Sequence, residues 1–338
     1  MSDSIQALRH GGDLRAAARA WGIPLEHWLD LSTGVNPNPW PLPPLPTTLA
    51  SRLPEGDDGL EEAAAAYYGS DALLATPGSQ AVLQWLPRAL VEPGRVAITT
   101  PGYAEHARAW RAAGHEVIAV PPEGPERLDG IDTLVVIQPN NPTGAVAPEA
   151  QLRHWRQTLA ARGGHLILDE AFADTPTLDG APIPSLAAET GEPGLVVLRS
   201  LGKFFGLAGL RVGFCLGPAE LRVRLADHLG PWPVNGIGRW AVRQALGDRD
   251  WQARTRTRLT AAARRLDALL AEAGLEPMGN CPLFRWVRHP NATALEDRLA
   301  RAAIRVRRFD DPAALRFGLP ATEEDWARLA EALAGLPT

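Results

Sequence analysis

Of the 34 lysines and arginines in this chain of 338 residues, one is a lysine: Lys203, in SLGKFFGLAGLRVGF. Arginine stays protonated at ordinary pH and offers no free amine. A lysine whose pKa is lowered by its site condenses with an aldehyde to a Schiff base. The same stretch carries Ser200 and Arg211, with glycines that permit close backbone approach. Three other places put polar groups at the ends of apolar runs. Asp169-Glu170 terminates LIL in HLILDEAF; a carboxylate at the tip of a buried strand needs a partner, which an arginine or a protonated heterocyclic nitrogen supplies. Asn141, in QPNNPTG, is presented where LVVI must stop. Open α/β sheets bind ligands at the edge formed by strand C-termini, although the same residues also make an ordinary tight turn. Pro77-Gly78-Ser79-Gln80 opens a helical pattern. Its free N–H groups and the Ser79 hydroxyl form either an anion site suited to a phosphate or a plain helix cap.

The elements that must position these groups are buried strands. The runs Arg95–Pro101, Thr133–Pro139, His165–Phe172, Leu195–Ser200 and Leu210–Leu216 are short, rich in β-branched residues and free of polar alternation, as strands covered on both faces are. Helical patterns such as Gln80–Val91 and Pro148–Arg162 separate most of them, which predicts an α/β fold with a mostly parallel sheet. A long helix over about 250–273 follows, closed by Gly274. Beyond it the pattern reads strand Leu283–Arg288, helix Thr293–Ala303, strand Arg305–Arg308, strand Ala314–Leu319 and helix Glu323–Ala334, a small α+β unit. At the N-terminal end a helix over Leu14–Trp21 precedes NPNPWPLPPLP. Its six prolines from Pro37 to Pro46 are too dense for a helix or a central strand. That segment is either a linker or an arm laid over a neighbour or a pocket. The expected division is an N-terminal arm, 1–45, contributing to the small domain and active site, a large domain, 46–248, and a small C-terminal domain, 249–338.

A formal net charge of -5 and a pI near 5.9 exclude general affinity for nucleic acid or anionic membrane. No apolar run approaches the length of a membrane span, and MSDSIQALRHGGD lacks the basic-then-apolar order of a signal peptide. Cys215 and Cys281 fit neither a disulfide framework nor a metal cluster. These features lead us to expect a soluble, cytoplasmic protein without a metal.

Taken in order, Gly-Ser before a helix, Pro-Gly-Tyr, Asn-Asn-Pro-Thr-Gly, Asp-Glu-Ala and Ser-x-x-Lys with Ala-Gly-Leu-Arg-x-Gly resemble the fold type I pyridoxal-phosphate enzymes of the aspartate aminotransferase superfamily. The resemblance covers essentially the whole chain. It implies an α/β large domain with a mostly parallel central sheet, a small α+β C-terminal domain, pyridoxal 5'-phosphate as cofactor and a homodimer. It also gives the residues tasks. Lys203 would hold the cofactor as a Schiff base and shuttle protons, and Asp169 would pair with the pyridinium nitrogen. Asn141 would bond the ring's 3-oxygen, and Tyr103 would stack on the ring face. Gly78, Ser79, Ser200 and Arg211 would hold the cofactor phosphate, and Gln80 would also bind the cofactor. Arg316, in LRFGL, would grip the substrate carboxylate bidentately.

The N-terminal HGGDLRAAARAWGIPLEHWLDLSTGVNPNPWP, together with WPVN (Trp232–Asn235) and DEAF, resembles the threonine-phosphate decarboxylases of cobalamin biosynthesis, relatives of the histidinol-phosphate aminotransferases. By that resemblance His10, Gly11 and Gly12 lie near a substrate phosphate, and Asn36 and Asn141 lie near the substrate. On its own, HGGD also reads as a helix-entry turn capped by Asp13. The implied reaction is decarboxylation of L-threonine O-3-phosphate to (R)-1-amino-2-propanol O-phosphate. An aminotransferase like those of histidinol phosphate is the alternative, and a non-catalytic ligand-binding module is a third. The chain departs from the family pattern at three positions. Pro320 replaces a second arginine, for which Arg307 or Arg308 is a candidate substitute; Leu53 replaces a tyrosine that reaches the partner's cofactor phosphate; and Gly202 replaces a Ser or Thr before the lysine.

Overall fold

Each of the five apolar runs contributes a strand to one seven-stranded sheet in a computed structural model that describes residues 11–90 and 92–335. His10 and Val91 lie outside the described residues. The strand order is Leu73–Thr76, Gly213–Leu216, Leu195–Ser200, His165–Asp169, Thr133–Ile137, Arg95–Thr99, Glu116–Val120. Gly213–Leu216 runs antiparallel to both neighbours and the remaining pairs are parallel. Val96, Leu134, Leu166, Val196 and Leu216 are fully buried, so both faces of the central strands are covered, which is why these runs show no alternation.

The strands stop short of the apolar runs for local reasons. Pro101 and Pro139 have no N–H to continue a ladder, and the strands end at Thr99 and Ile137. The last strand starts at Gly213 rather than Leu210 because Arg211 takes a left-handed conformation, φ 55. Leu73–Thr76 and Glu116–Val120 were not legible as strands. The first is only four residues long, and the second is an edge strand that is only partly buried. The helices Ser79–Leu90 and Glu149–Ala160 form as the periodicity predicts.

The chain forms two compact units: Met1–Gly34 with Arg265–Met278 and Phe284–Thr338, and Val35–Arg264 with Gly279–Leu283. These limits differ from the sequence-based ones. Residues 35–45 fall in the second, larger unit because the backbone of that arm is bonded to the 203–205 loop: Asn36 N donates to Lys203 O and Trp40 N to Phe205 O. The long helix, Arg249–Glu272, contributes residues to both units, so no boundary falls at its start.

The smaller unit holds an antiparallel sheet in the order Arg307–Asp310, Ala313–Gly318, Phe284–Arg288, Pro277–Met278. The single strand expected over Arg305–Arg308 is divided: Ile304–Arg305 pairs in parallel with Leu29–Asp30, and Arg307–Asp310 pairs with Ala313–Gly318. Thr322 and Asp325 form a reciprocal capping box that starts the Glu323–Ala334 helix. Asp13 caps Leu14–Trp21 by accepting from Ala16 N, and Gly22, φ 66, ends it. No described helix is long and apolar enough to cross a membrane.

Candidate active site

In the larger unit, four backbone-defined positions converge on the N-terminus of the Ser79–Leu90 helix. Gly78, φ 79, precedes that helix, and a Cβ placed on it would lie 2.7 Å from Arg211 Nη2. A Cβ on Gly213 would lie 2.6 Å from Ser79 N, and Gly213 is paired with Ser200 in the sheet. Gly78, Ser79, Ser200 and Arg211 are thus brought together from three separate segments, with Gly213 packed against backbone that leaves no room for a side chain and Gly78 in a left-handed conformation beside the Arg211 guanidinium. The left-handed backbone of Arg211 is strained for a non-glycine residue; it returns the guanidinium to Ala208 O, 3.2 Å from Nη1, and to Gly78. Unsatisfied helix N–H groups, hydroxyls and a guanidinium make an anion cradle of phosphate chemistry. Gln80 Oε1 accepts the Tyr103 hydroxyl at 2.9 Å, so this side chain orients Tyr103.

The two adjacent carboxyls at the end of His165–Asp169 go to opposite partners. Asp169 Oδ2 lies 2.8 Å from His106 Nε2 with both side chains buried, and its Oδ1 accepts from Ala171 N at 3.1 Å. Glu170 instead takes the buried guanidinium of Arg199 at 2.5 Å, and Arg199 also binds Asp174. Burial pushes the Glu170 carboxyl above its ordinary range, an effect that Arg199 and Ser185 only partly offset. Glu170 is therefore committed to a structural ion pair, while Asp169 is held by an imidazole at the sheet's C-terminal edge. His106 was missed in the sequence. The available signal was its position three residues after Tyr103, one helical turn away, where the two rings meet edge to face at 6.2 Å.

Asn141 lies in the turn after Thr133–Ile137 and is 9% exposed. Its neighbour Asn140 shapes the turn: Oδ1 accepts from Thr143 N and Oγ1, and the backbone carbonyl accepts from Gly144 N. Lys203, in the loop after Leu195–Ser200, places Nζ 5.3 Å from the centre of the Phe172 ring. A Cβ added to Gly202 would lie 3.1 Å from Ala208 Cα, so a larger residue there would require that neighbour to give by a few tenths of an ångström. Asn36 is 2% exposed, and its Nδ2 donates to Phe204 O at 2.8 Å.

A pyridine aldehyde phosphate fits this set of groups. The glycine-walled cradle suits its phosphate, and the buried Asp169 carboxylate suits a protonated ring nitrogen. Lys203 is the chain's one primary amine on a side chain.

In the smaller unit, Arg316 lies within Ala313–Gly318, is 3% exposed, and donates from Nη2 to Ser32 O at 2.5 Å while lying over the Phe284 ring at 5.1 Å. Ser32 also receives Gly12 N on its Oγ at 2.8 Å and is itself fixed by Asp30, 2.6 Å away. A Cβ on Gly11 would lie 2.4 Å from Ser32 O. Gly11, Gly12 and Arg316 are therefore joined through Ser32, a residue the sequence did not single out. Arg307 stands directly across the ladder from Arg316, and such cross-strand partners share one sheet face. Arg307 also lies over the Phe309 ring at 4.8 Å, and Arg308 is engaged by Glu296 at 3.1 Å and Asp310 at 3.0 Å.

Comparison with known proteins agrees with this geometry. The model of the family "Aminotransferase class I and II" matches residues 52–333. A threonine-phosphate decarboxylase of Pseudomonas aeruginosa is 52% identical over 97% of this chain and 98% of its own length. One from a Sinorhizobium species is 41% identical over 96% and 97%. The crystal structure of histidinol-phosphate aminotransferase from Sinorhizobium meliloti, in complex with pyridoxal-5'-phosphate, superposes with a TM-score of 0.80 at 23% identity, covering 100% of this chain and 98% of that one; at that identity the likeness shows the fold. By its fold, its ordered site residues and these matches, the chain belongs to the aminotransferase class I and II family.

Proposed function

We propose that this chain is a pyridoxal-phosphate-dependent threonine-phosphate decarboxylase. The observation that carries the reading is the 52% identity, over nearly its whole length, with a protein of that activity, joined to a site in which every cofactor-handling group is present. Bound pyridoxal phosphate supplies an aldehyde for the substrate amine and a ring that accepts the electron pair of the bond that breaks. The chain's own residues do the rest. Lys203 would hold the cofactor through its amine and would carry a proton to or from the substrate. Asp169, oriented by His106, would keep the ring nitrogen protonated. Asn141 would bond the 3-oxygen, Tyr103, steered by Gln80, would cover a ring face, and Gly78, Ser79, Ser200 and Arg211 would take the phosphate. Arg316 binds the substrate carboxylate; Arg307, with the Gly11-Gly12 turn, takes the substrate phosphate, so that Pro320 leaves recognition intact. The bond from Cα to the carboxylate breaks, CO2 leaves, and a proton returns to the same carbon. Which bond breaks would be set by how the substrate is oriented, and orienting the carboxylate would be the task of Arg316.

A homodimer is part of this reading. Leu53 is 63% and Trp232 55% exposed, and Trp232 is held at a strained φ of 55. Both line a groove that also contains Pro77 and Arg211, an apolar surface suited to a second copy of the chain. A cytoplasmic setting agrees with cysteines that form no disulfide. The test is incubation of the holoenzyme with L-threonine O-3-phosphate. CO2 release without any 2-oxoglutarate requirement is expected; keto-acid formation without CO2 would establish the aminotransferase instead.

A further inference from the structure

Lys203 must carry a mobile amine from a fixed base, yet it lies in neither a helix nor a strand. Its loop is held from elsewhere in the sequence. Three consecutive carbonyls accept hydrogen bonds from the Pro-rich arm: Lys203 O from Asn36 N at 3.0 Å, Phe204 O from Asn36 Nδ2 at 2.8 Å, and Phe205 O from Trp40 N at 2.9 Å. The alternation Asn-Pro-Asn-Pro-Trp makes this possible. Pro37 and Pro39 fix φ and offer no N–H, which leaves donors at 36, 38 and 40. Asn38 N turns back to Asn36 Oδ1 at 3.0 Å, so both ends of the Asn36 amide are engaged and its orientation is set. Gly206, φ 71, lets the loop turn against the arm; a Cβ there would lie 2.7 Å from Pro39 Cα.

The far end of the arm is anchored as well. Trp40 Nε1 donates to Asp248 Oδ2 at 3.0 Å, and Asp248 Oδ1 accepts from Trp251 N, also at 3.0 Å, at the start of the Arg249–Glu272 helix. The Trp251 ring then stacks on Phe205 at 5.6 Å and meets Phe204 edge-on at 5.5 Å. Backbone and side chains of the residues following Lys203 are therefore closed into one loop of contacts through Asn36, Trp40, Asp248 and Trp251. Asn36 and Trp40 are 2% and 5% exposed, so water does not compete for these bonds.

We propose that Asn36–Trp40 is a splint for the lysine loop, with Asn36 a positioning residue that fixes the backbone from which the Lys203 amine swings. This rests on the assignment of Lys203 as the cofactor lysine and extends it to a segment otherwise read as a linker or as a substrate contact. Asn36→Asp tests it, because the substitution keeps shape and the acceptor for Asn38 while replacing the donor to Phe204 O. The cofactor-free protein is mixed with pyridoxal phosphate, the Lys203 adduct is trapped with borohydride and counted by peptide mass, and the pH midpoint of the cofactor's absorption change is recorded. Asn36→Asp is expected to slow adduct formation by about tenfold or more, as displaced catalytic groups do, and to move the midpoint. Trp40→Phe, which keeps the backbone bond to Phe205 O and an aromatic ring but loses the Asp248 bond and some packing, should move both less and in the same direction. Leu225→Ala, in the core of the larger unit, is matched for lost melting temperature and should move neither. Wild-type rate and midpoint in Asn36→Asp would overturn the splint, as would an equal change in Leu225→Ala. Should Asn36→Asp not fold, wild-type values in Trp40→Phe would overturn it. Failure of the unmodified chain to form any Lys203 adduct would instead overturn the cofactor assignment beneath it.

Discussion

Lys203 and Arg316 are held in opposite ways. Lys203 lies in a loop whose carbonyls are bonded by a distant arm, and its side chain reaches past the Phe172 ring. Arg316 is in the middle of an antiparallel strand, almost fully buried, with its guanidinium seated on Phe284 and bonded to Ser32 O. The first arrangement fixes the backbone beneath a side chain that the proposed reaction requires to move; the second fixes the tip of the side chain itself. That difference matches the tasks proposed for them: an amine that must exchange one partner for another, and a guanidinium that must present a carboxylate in one orientation.

Removing the amine should do the most damage. Lys203→Ala is expected to lower turnover by roughly 10,000-fold or more, in the manner of a lost nucleophile, and to abolish borohydride-trappable cofactor; turnover within tenfold of the unmodified protein would break the comparison at its mobile end. The fixed end is tested by Arg316→Lys. A lysine keeps the charge but loses the planar two-pronged donor, and KM should rise on the order of a hundredfold, equivalent to one strong charge-assisted bond. CO2 release measured across substrate concentration separates that from a loss of kcat. A smaller effect is expected across the same sheet. Arg307→Ala should raise KM for the phosphorylated substrate by about tenfold and leave any turnover of free threonine unchanged, whereas Arg308→Ala, held by Glu296 and Asp310, should change neither.

The smallest effect concerns a contact away from both residues. Burial pushes the Asp58 carboxyl up, but its bonds to Arg239 and to Leu60 N carry it, on balance, below its ordinary value of 3.8. A depressed carboxyl contributes stability above its unfolded-state pKa and loses it as pH falls through the folded one. Unfolding free energy should therefore drop less between pH 5 and pH 3 in Asp58→Asn than in the unmodified chain, by roughly the 0–1 kcal/mol of a partly exposed pair, as read from denaturant melts at each pH. Parallel curves would show that the pair contributes nothing there.

The cofactor end was legible in the sequence because it is built from short motifs at strand ends, where backbone geometry follows locally: Gly78-Ser79 before a helix, Asn141 in a proline turn, Asp169 at a strand tip. What escaped was long-range. Ser32 joins Gly12 to Arg316 across nearly the whole chain, and no local pattern marks a backbone carbonyl for that task. Gln80 and Asn36 carry polar side chains whose partners, Tyr103 and Phe204 O, are distant in sequence. Either carboxyl of Asp169-Glu170 could have been the one at the site; alternation at the strand end sends the two to opposite sides, Glu170 to Arg199 and Asp169 to His106.

The central claim, that these residues break the bond to the carboxylate, is tested most directly by the position of a deuteron. With L-threonine O-3-phosphate in D2O, decarboxylation yields aminopropanol phosphate with one deuterium on the carbon that lost CO2, and one CO2 per product. Mass and NMR spectra showing that product would agree with the account. Recovery of a keto acid, or of substrate exchanged at Cα with no CO2 released, would contradict it.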